Sequence, residues 1–295
     1  MKSFKINTDD LTLYGAIFEP KGKAKGVVQI LHGMCEHKER YYDFMKYLAS
    51  NGYVAVIHDH RGHGNSINEK YVLGYFGENK DILVEDAFLI TKYIKEKYPS
   101  AKITLFGHSM GSLVARRYIS KYDDEIDKLI LCGTPTYNPL APVGTMLANI
   151  VGLIKGNYHR SKLLNNLSLG NYSKKFDNPN GWISTNQEII KKYDTDERCG
   201  FTFTVNGFKM LFKIMSNVYK KKEYMVKNNK LLIFIIGGGD DPVINGESKF
   251  NHLKEFLSNM GYKVKGKLYK GLRHELLNEI GNDVIYNDVL QFIQK

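Results

Sequence analysis

Ser109 lies between two glycines in the segment GHSMG at 107–111, where an apolar stretch gives way to a helical pattern. The residues ITLF at 103–106 favour a strand, and SLVARRYISKY from position 112 favours a helix. A serine hydroxyl is a weak nucleophile until a neighbouring base accepts its proton. A tight strand-to-helix turn exposes such a hydroxyl, and flanking glycines remove side chains that would collide there. Ser109 is therefore predicted to be a nucleophile; the alternative is a serine that only caps the helix.

A serine nucleophile of this kind needs a histidine base and an acid, and the acid precedes the histidine in chain order. The chain has nine histidines. His274 fits best because it follows the last predicted strand, in YKGLRHELLNE, and precedes the last predicted helix. Asp240 and Asp241 follow another strong strand in IIGGGDDPV, where a carboxylate can orient His274 and stabilise its protonated form. Position alone leaves both aspartates open as the acid.

The charge that develops on the substrate oxygen needs two backbone N–H donors. Met110, the residue after the nucleophile, supplies one of them at the start of the following helix. The loop LHGMCEH at 31–37 follows an early predicted strand and offers the Met34 N–H as the second donor. Gly33 would let this backbone approach the substrate closely.

The segment HDHRGHG at 58–64 crowds three histidines and an aspartate, which raises the hypothesis of a metal site. Alternating residues that leave a strand point to opposite faces, and the glycines indicate a tight loop. We therefore favour a structural role in which Asp59 and Arg61 brace the loop by hydrogen bonds. On this interpretation the protein uses neither a metal nor an organic cofactor.

Apolar strands alternate with helical patterns in the first and last parts of the chain. Strands are predicted at 27–31, 53–59, 103–106, 128–132, 230–236 and 263–269, and helices near 41–48, 84–91, 112–122 and 283–293. Strands that are apolar throughout are typical of a sheet covered on both faces. The alternation predicts an α/β protein with a mostly parallel sheet flanked by helices.

No such alternation is recognisable from residue 137 to residue 224. Apolar helical patterns occur there at 145–154 and 208–219. We therefore predict a sheet domain formed by residues 1–136 and 225–295, which carries a helical insertion over residues 137–224.

The chain has 295 residues and a formal net charge of +11. The basic residues are spread out and form no nucleic-acid-binding motif, so we expect no nucleic-acid partner. The charge serves solubility or attracts an anionic membrane surface. Cys35, Cys132 and Cys199 are widely spaced and indicate no disulfide framework, which favours a cytoplasmic protein. We recognise no signal segment, and no apolar run reaches the roughly 18 residues of a membrane span.

Five segments resemble, in order, the α/β-hydrolases of the monoacylglycerol lipase and lysophospholipase group, also catalogued as serine aminopeptidase-like hydrolases. They are HGMCEHKERY at 32–41, DHRGHGNS at 59–66, GHSMGS at 107–112, GGDDPV at 238–243 and GLRHELLNE at 271–279. The resemblance implies the α/β-hydrolase fold, with the insertion as a helical cap. It assigns Ser109 as nucleophile, His274 as base and Asp241, the aspartate before proline, as acid. It places the oxyanion hole at the Met34 and Met110 N–H groups.

The resemblance also implies a carboxylic ester hydrolase that acts on a small lipid ester, a monoacylglycerol or lysophospholipid, through an acyl-enzyme. Gly33, Glu36 and Arg40 would lie near the substrate, where Glu36 and Arg40 either bind a polar head such as glycerol or form a structural ion pair. Met146 and Ile150 either line an acyl tunnel, touch an anionic membrane or pack the cap onto the sheet. The open alternatives are a short-chain carboxylesterase or thioesterase, and a ligand-binding protein with slow turnover. Oligomeric state is left unassigned.

Overall fold

One eight-stranded sheet forms the centre of the computed structural model, which describes residues 1–170 and 172–295. Its strands are β1 (Lys2–Asn7), β2 (Thr12–Phe18), β3 (Val27–Leu31), β4 (Val54–His58), β5 (Ile103–His108), β6 (Lys128–Cys132), β7 (Leu232–Gly238) and β8 (Lys263–Tyr269). Their order across the sheet is β1-β2-β4-β3-β5-β6-β7-β8. Strands β3 to β8 are parallel, whereas β2 runs antiparallel to β1 and β4. The predicted mostly parallel sheet is confirmed.

Helices cover both faces of this sheet and fill the chain between β6 and β7. They are α1 (Tyr42–Ser50), α2 (Ile82–Lys97), α3 (Met110–Tyr122), α4 (Ala141–Lys155), α5 (Lys162–Leu169), α6 (Gln187–Thr195), α7 (Val205–Asn217), α8 (Glu247–Ser258) and α9 (Asp283–Gln294). Buried side chains of α2, α3 and α8 form one apolar layer with the sheet, and those of α1 and α9 form a second layer.

Strand β3 illustrates why the central strands are apolar throughout. Val27 and Leu31 belong to the layer with α2, α3 and α8, whereas Val28 and Ile30 belong to the layer with α1 and α9. Each such side chain stabilises the fold by about 1.5–3 kcal/mol when fully buried. The edge strand β8 alternates between exposed and partly buried residues, because less of it is covered.

The helices α4 to α7 all fall within residues 137–224, the segment predicted to form the cap. Helix α4 packs against α7 so closely that a Cβ atom at Gly144 would lie 2.8 Å from the Phe212 ring. Phe208 and Leu211 of α7 share one apolar cluster with Met110 of α3. The insertion and the sheet therefore share a core. The division at residues 136 and 225 stays a prediction.

Two local features differ from the sequence prediction. The hairpin of β1 and β2 lacks a strong apolar run, because β1 buries only Phe4 and exposes alternate residues at the edge of the sheet. Strand β7 extends beyond 236 because Gly237 and Gly238 pair with Leu268 and Tyr269 of β8. A pattern based on apolar side chains detects neither the β1–β2 hairpin nor the two glycines that end β7.

Candidate active site

Ser109 links β5 to α3 with backbone angles of φ 50° and ψ −118°. Positive φ strains a non-glycine residue, and such strain persists where the surrounding structure imposes it. A Cβ atom at Gly107 would lie 2.5 Å from the Gly111 carbonyl oxygen, and one at Gly111 would lie 2.2 Å from the Leu31 carbonyl oxygen. The absence of both Cβ atoms therefore lets β5, α3 and the end of β3 meet at Ser109.

His274 and Asp241 form a buried pair after the ends of β8 and β7. The Nδ1 atom of His274 lies 2.8 Å from Asp241 Oδ2, and Asp241 Oδ1 accepts a hydrogen bond from the Val243 N–H at 2.8 Å. Asp241 is buried, whereas Asp240 is exposed. The structure therefore brings Asp241 and not Asp240 to the histidine. An aspartate at Nδ1 leaves Nε2 available to act on a serine hydroxyl.

The cap holds the histidine loop in place through the segment before α6. Trp182, the one tryptophan of the chain, lies with its ring centroid 5.0 Å from that of His274. The Glu275 N–H donates to the Ile183 carbonyl oxygen at 2.7 Å. The sequence prediction did not include Trp182. Its uniqueness was a signal, but only the fold shows what it contacts.

The loop after β3 presents one free N–H group between two that are occupied. The Gly33 N–H donates to Glu36 Oε1 at 2.5 Å, and the Cys35 N–H donates to His63 Nε2 at 3.3 Å. The Met34 N–H between them makes no hydrogen bond within the described part of the chain. Met110 begins α3, so its N–H has no intrahelical acceptor. These two groups are the predicted oxyanion donors, and both residues stay candidates for that role.

Glu36 is a buried carboxylate with partners on both oxygens. Oε1 also accepts from the Tyr41 hydroxyl at 2.7 Å, and Oε2 accepts from Arg40 Nε at 3.0 Å. Burial acts to raise the pKa of Glu36, but the hydrogen bond and charge of His108 and the charge of Arg40 lower it to about 2. A second Arg40 nitrogen binds Glu275, next to His274. Glu36 therefore connects the loop after β3 with the loop after β8.

His108 extends this connection to the nucleophile turn. Its Nδ1 lies 2.9 Å from the Tyr41 hydroxyl and 3.3 Å from Glu36 Oε1, and its Nε2 lies 3.3 Å from the His274 carbonyl oxygen. Burial acts to lower the pKa of His108, but the hydrogen bond and charge of Glu36 raise it above its usual value. The three loops that carry Met34, Ser109 and His274 are therefore joined through one buried polar network.

A cavity of about 210 Å³ lies above these loops, and both Ser109 and His274 line it. Gly33, Met34 and Glu36 contribute to its floor. The cap contributes residues between positions 165 and 202, among them Asn165, Asn166, Leu169, Ser173, Asn180, Trp182, Ile183, Phe201 and Thr202. The geometry is therefore that of a buried serine at a cavity that a histidine–aspartate pair also reaches, with two candidate amide donors nearby, an arrangement suited to acyl transfer.

A family model described as "Serine aminopeptidase, S33" matches residues 22–281. This chain belongs to that family. The matched region includes β3 to β8, the nucleophile turn, the cap and the histidine loop. The chain is thus an α/β-hydrolase, as the resemblance of its motifs implied.

The hydrolase has relatives over nearly its whole length. It is 24% identical to the monoglyceride lipase of Rattus norvegicus over 289 residues, which cover 95% of this chain and 86% of the relative. It is 24% identical to the monoacylglycerol lipase of Mycolicibacterium smegmatis over 286 residues, which cover 94% of this chain and 91% of the relative. A solved carboxyl esterase from Bacillus coagulans, in complex with glycerol, has a TM-score of 0.91 at 25% identity and covers 99% of this chain and 97% of its own.

The structure separates the predicted substrate residues of the hydrolase into three groups. Gly33 and Glu36 line the cavity, although both Glu36 oxygens are occupied. Arg40 lies behind the cavity wall, stacked 4.9 Å from the Tyr193 ring of α6. Met146 and Ile150 lie on the exposed face of α4 and outside the cavity lining. Helix α4 turns its small residues inward, because Ala141, Gly144 and Ala148 pack towards α7 and the core.

The segment at 58–64 braces a loop beneath the site of the hydrolase. Asp59 accepts hydrogen bonds from Lys38 Nζ at 2.7 Å and from the Asn65 N–H at 2.9 Å. Arg61 binds both oxygens of Asp86, at 2.7 and 2.9 Å. The Nε2 atom of His32 accepts from the His60 N–H at 2.9 Å. These bonds agree with the structural role favoured from the sequence.

Substitution Glu36→Gln tests the buried network, because it keeps the shape and removes the charge that His108 and Arg40 satisfy. We expect kcat for a soluble ester to fall by roughly 10- to 100-fold with KM nearly unchanged, since the loop carrying Met34 loses its anchor. The exposed Glu255→Gln is the matched control. A rise in KM with kcat preserved would contradict this positioning role and indicate that Glu36 binds the substrate head.

The buried histidines predict an acid-sensitive fold. Burial lowers the pKa of His60 to about 4. Burial and the nearby His60 together lower the pKa of His63 to about 3. Below pH 6.5 the unfolded chain therefore binds protons that the folded chain does not, so the free energy of unfolding should fall as pH falls from about 6.5 towards 4. For His60 this loss amounts to about 3 kcal/mol.

Urea unfolding followed by circular dichroism between pH 7.5 and pH 4.5 measures this slope. We expect His60→Asn to flatten the pH dependence and the exposed His252→Asn to retain it. Equal slopes in the wild type and His60→Asn would show that His60 already titrates normally in the folded protein.

Proposed function

We propose that the hydrolase cleaves carboxylic esters of small lipids, with monoacylglycerols as the favoured substrates. The observation that carries this proposal is the pair of His274 and Asp241, 2.8 Å apart, at the cavity that Ser109 also lines. The monoglyceride and monoacylglycerol lipases among the relatives, and the solved carboxyl esterase, support the same reaction class.

The proposed reaction has two halves. His274 takes the Ser109 hydroxyl proton while the oxygen attacks the ester carbonyl, and Asp241 stabilises the imidazolium that forms. The Met34 and Met110 N–H groups donate to the oxyanion. The C–O bond to the alcohol breaks, the alcohol leaves with the proton from His274, and an acyl-serine remains. Water then attacks the acyl-serine with His274 as base, which releases the acid and restores Ser109.

The cavity lining supports an uncharged polyol as the alcohol. Its cap wall carries polar side chains, Asn165, Asn166, Ser173, Asn180 and Thr202, that can donate to and accept from hydroxyl groups. No lysine or arginine is among the described residues that line it, whereas Glu36 and Glu275 are. An anionic phosphodiester would lack a cationic partner there. This chemistry favours glycerol esters over lysophospholipids.

The cavity volume favours short or medium acyl chains while the cap holds the position described. About 210 Å³ is below the roughly 300–1,000 Å³ of pockets that enclose drug-sized ligands. A long acyl chain would require the cap to move. This observation supports a second candidate function, a short-chain carboxylesterase with the same triad.

Initial rates on paired ester series test the proposal. We expect monooctanoylglycerol to be hydrolysed faster than both monopalmitoylglycerol and the lysophosphatidylcholine of matched acyl length. Ser109→Ala should lower kcat by roughly 10⁴- to 10⁶-fold and abolish labelling by a fluorophosphonate probe, because both the proposed reaction and the probe use the Ser109 hydroxyl. The exposed Ser248→Ala is the matched control.

The other outcomes discriminate between the alternatives. Preference for lysophosphatidylcholine would contradict the polyol argument, and turnover confined to acetate and butyrate esters would establish the carboxylesterase. Labelling of Ser109 without turnover on any ester would favour a ligand-binding protein.

We also propose that the outer face of α4 contacts an anionic membrane surface. Among the described residues, no helix is long and apolar enough to cross a bilayer. Helix α4 nevertheless exposes a continuous apolar strip, formed by Val143, Met146, Ile150, Leu153 and Ile154. Lys155 ends α4 and is exposed, Lys162 begins α5 and is exposed as well, and the chain carries a net charge of +11. An apolar strip with cationic flanks is typical of helices that lie in a membrane interface. We propose a cytoplasmic location for the enzyme, because its three cysteines are free.

Cosedimentation with vesicles of phosphatidylcholine and phosphatidylglycerol tests this contact. We expect the double variant Leu153→Ser/Ile154→Ser to bind at least about tenfold more weakly, since burying each side chain contributes about 1.5–3 kcal/mol. Added salt should weaken wild-type binding. Ile280→Ser, which removes an exposed apolar side chain elsewhere, is the matched control. Equal binding by both variants would show that α4 is not the contact.

A further inference from the structure

Three potential metal ligands converge where the cap meets the loop after β3, and none of them lines the cavity of the proposed chemistry. They are His37, which follows the loop, and Asp196 and Cys199, which follow α6. One ligand atom from each lies within 4.8 Å of the others. His37 Nε2 is 2.9 Å from Asp196 Oδ2. His37 and Cys199 are buried and Asp196 is partly exposed, which leaves one side open to solvent.

We propose that His37, Asp196 and Cys199 bind a zinc ion. Imidazole, thiolate and carboxylate form a donor set that zinc accepts, and a water molecule would complete four-coordination. In a tetrahedron with bond lengths of about 2.0–2.3 Å, neighbouring ligand atoms lie roughly 3.3–3.8 Å apart. The ligand atoms of the three residues lie between 2.9 Å and 4.8 Å apart. Side-chain adjustments of about 1 Å would therefore bring them to tetrahedral spacing. Binding releases the Cys199 proton to solvent.

Glu39 lies where the outer partner of a metal-binding histidine is expected. The Nδ1 atom of His37 lies against Glu39 Oε2, while Nε2 faces Asp196. Metal-binding histidines usually present one nitrogen to the metal and the other to a carboxylate or carbonyl oxygen, which fixes the ring orientation. With a metal ion at Nε2, a proton at Nδ1 would face the Glu39 carboxylate.

Arg198 takes the place of the cation in the structure described. Its Nη2 donates to Asp196 Oδ2 at 3.2 Å, its Nε donates to Asp196 Oδ1 at 3.3 Å and its Nη1 donates to Glu39 at 2.5 Å. The side chain is 39% exposed, so it can move away without a large loss of packing. A zinc ion would displace Nη2 from Oδ2. Arg198 is thus a competitor for the site, and its removal should tighten zinc binding.

Zinc at this position would fasten the cap to the loop that carries Met34. The Gly200 N–H donates to the Cys35 carbonyl oxygen at 3.0 Å, and Cys35 Sγ donates to the Phe201 carbonyl oxygen at 2.8 Å. Gly200 and Phe201 also line the cavity. A ligand on the adjacent Cys199 would therefore hold this cap segment in the described position, raise thermal stability and hinder entry of substrates that need the cap to open.

Cobalt titration of the full chain without an affinity tag tests the site directly. We expect one equivalent of Co²⁺ to produce a thiolate-to-cobalt charge-transfer band in the near ultraviolet, and Zn²⁺ to abolish it. Calorimetry with Zn²⁺ then gives the affinity. His37→Gln and Cys199→Ser should each weaken binding by about a hundredfold or more, whereas Arg198→Gln should strengthen it several-fold. None of these readouts depends on ester hydrolysis.

Matched controls are Cys132→Ala, a thiol in β6, and His252→Gln, an exposed imidazole on α8; both should bind Co²⁺ as the wild type does. Thermal unfolding of each variant confirms that it folds. Absence of the charge-transfer band in the wild type, or its persistence in folded Cys199→Ser, would overturn the proposal. Weaker binding by Arg198→Gln would also overturn it, because the arginine would then support the site and not compete for it.

Discussion

The backbone of Ser109 is the constraint on which the site depends. A non-glycine residue held at φ 50° costs free energy, and it keeps this conformation only where the surrounding structure imposes it. The close approach of β5, α3 and the Leu31 carbonyl imposes this conformation, and that approach exists only because positions 107 and 111 carry no Cβ. The parallel strands then bring the loops after β3, β7 and β8 to the same edge of the sheet, where acid, base and amide donors can meet the serine.

A buried charge network holds these loops in a fixed arrangement. Glu36 is a buried carboxylate, so its free energy depends on the Gly33 N–H, Tyr41, Arg40 and His108. Each of these partners sits on, or next to, a segment that the proposed chemistry needs. Loss of one partner would leave a buried charge incompletely satisfied, and this cost links the geometry of the amide donors to that of the histidine loop.

The cap presents different chemistry on its two sides. The segment between 165 and 202 gives the cavity a wall of amides, hydroxyls and a few apolar side chains, whereas α4 turns an apolar strip to the outside. The proposed discrimination between alcohols and the proposed contact with a lipid surface therefore belong to separate parts of the insertion. The junction of Cys35 with Gly200 and Phe201 connects the cap wall to the amide donors.

The sequence by itself determined the mostly parallel sheet and the family, because buried strands and the serine turn impose local patterns. The resemblance of the motifs already favoured Asp241 over Asp240, and the tertiary structure supplies the physical reason, since one carboxylate is buried against His274 and its neighbour is exposed. Only the tertiary structure turned Met146 and Ile150 outward, because α4 is apolar on nearly every side and its rotation is set by Gly144 against Phe212. Contacts between distant segments leave no periodic signal in the chain.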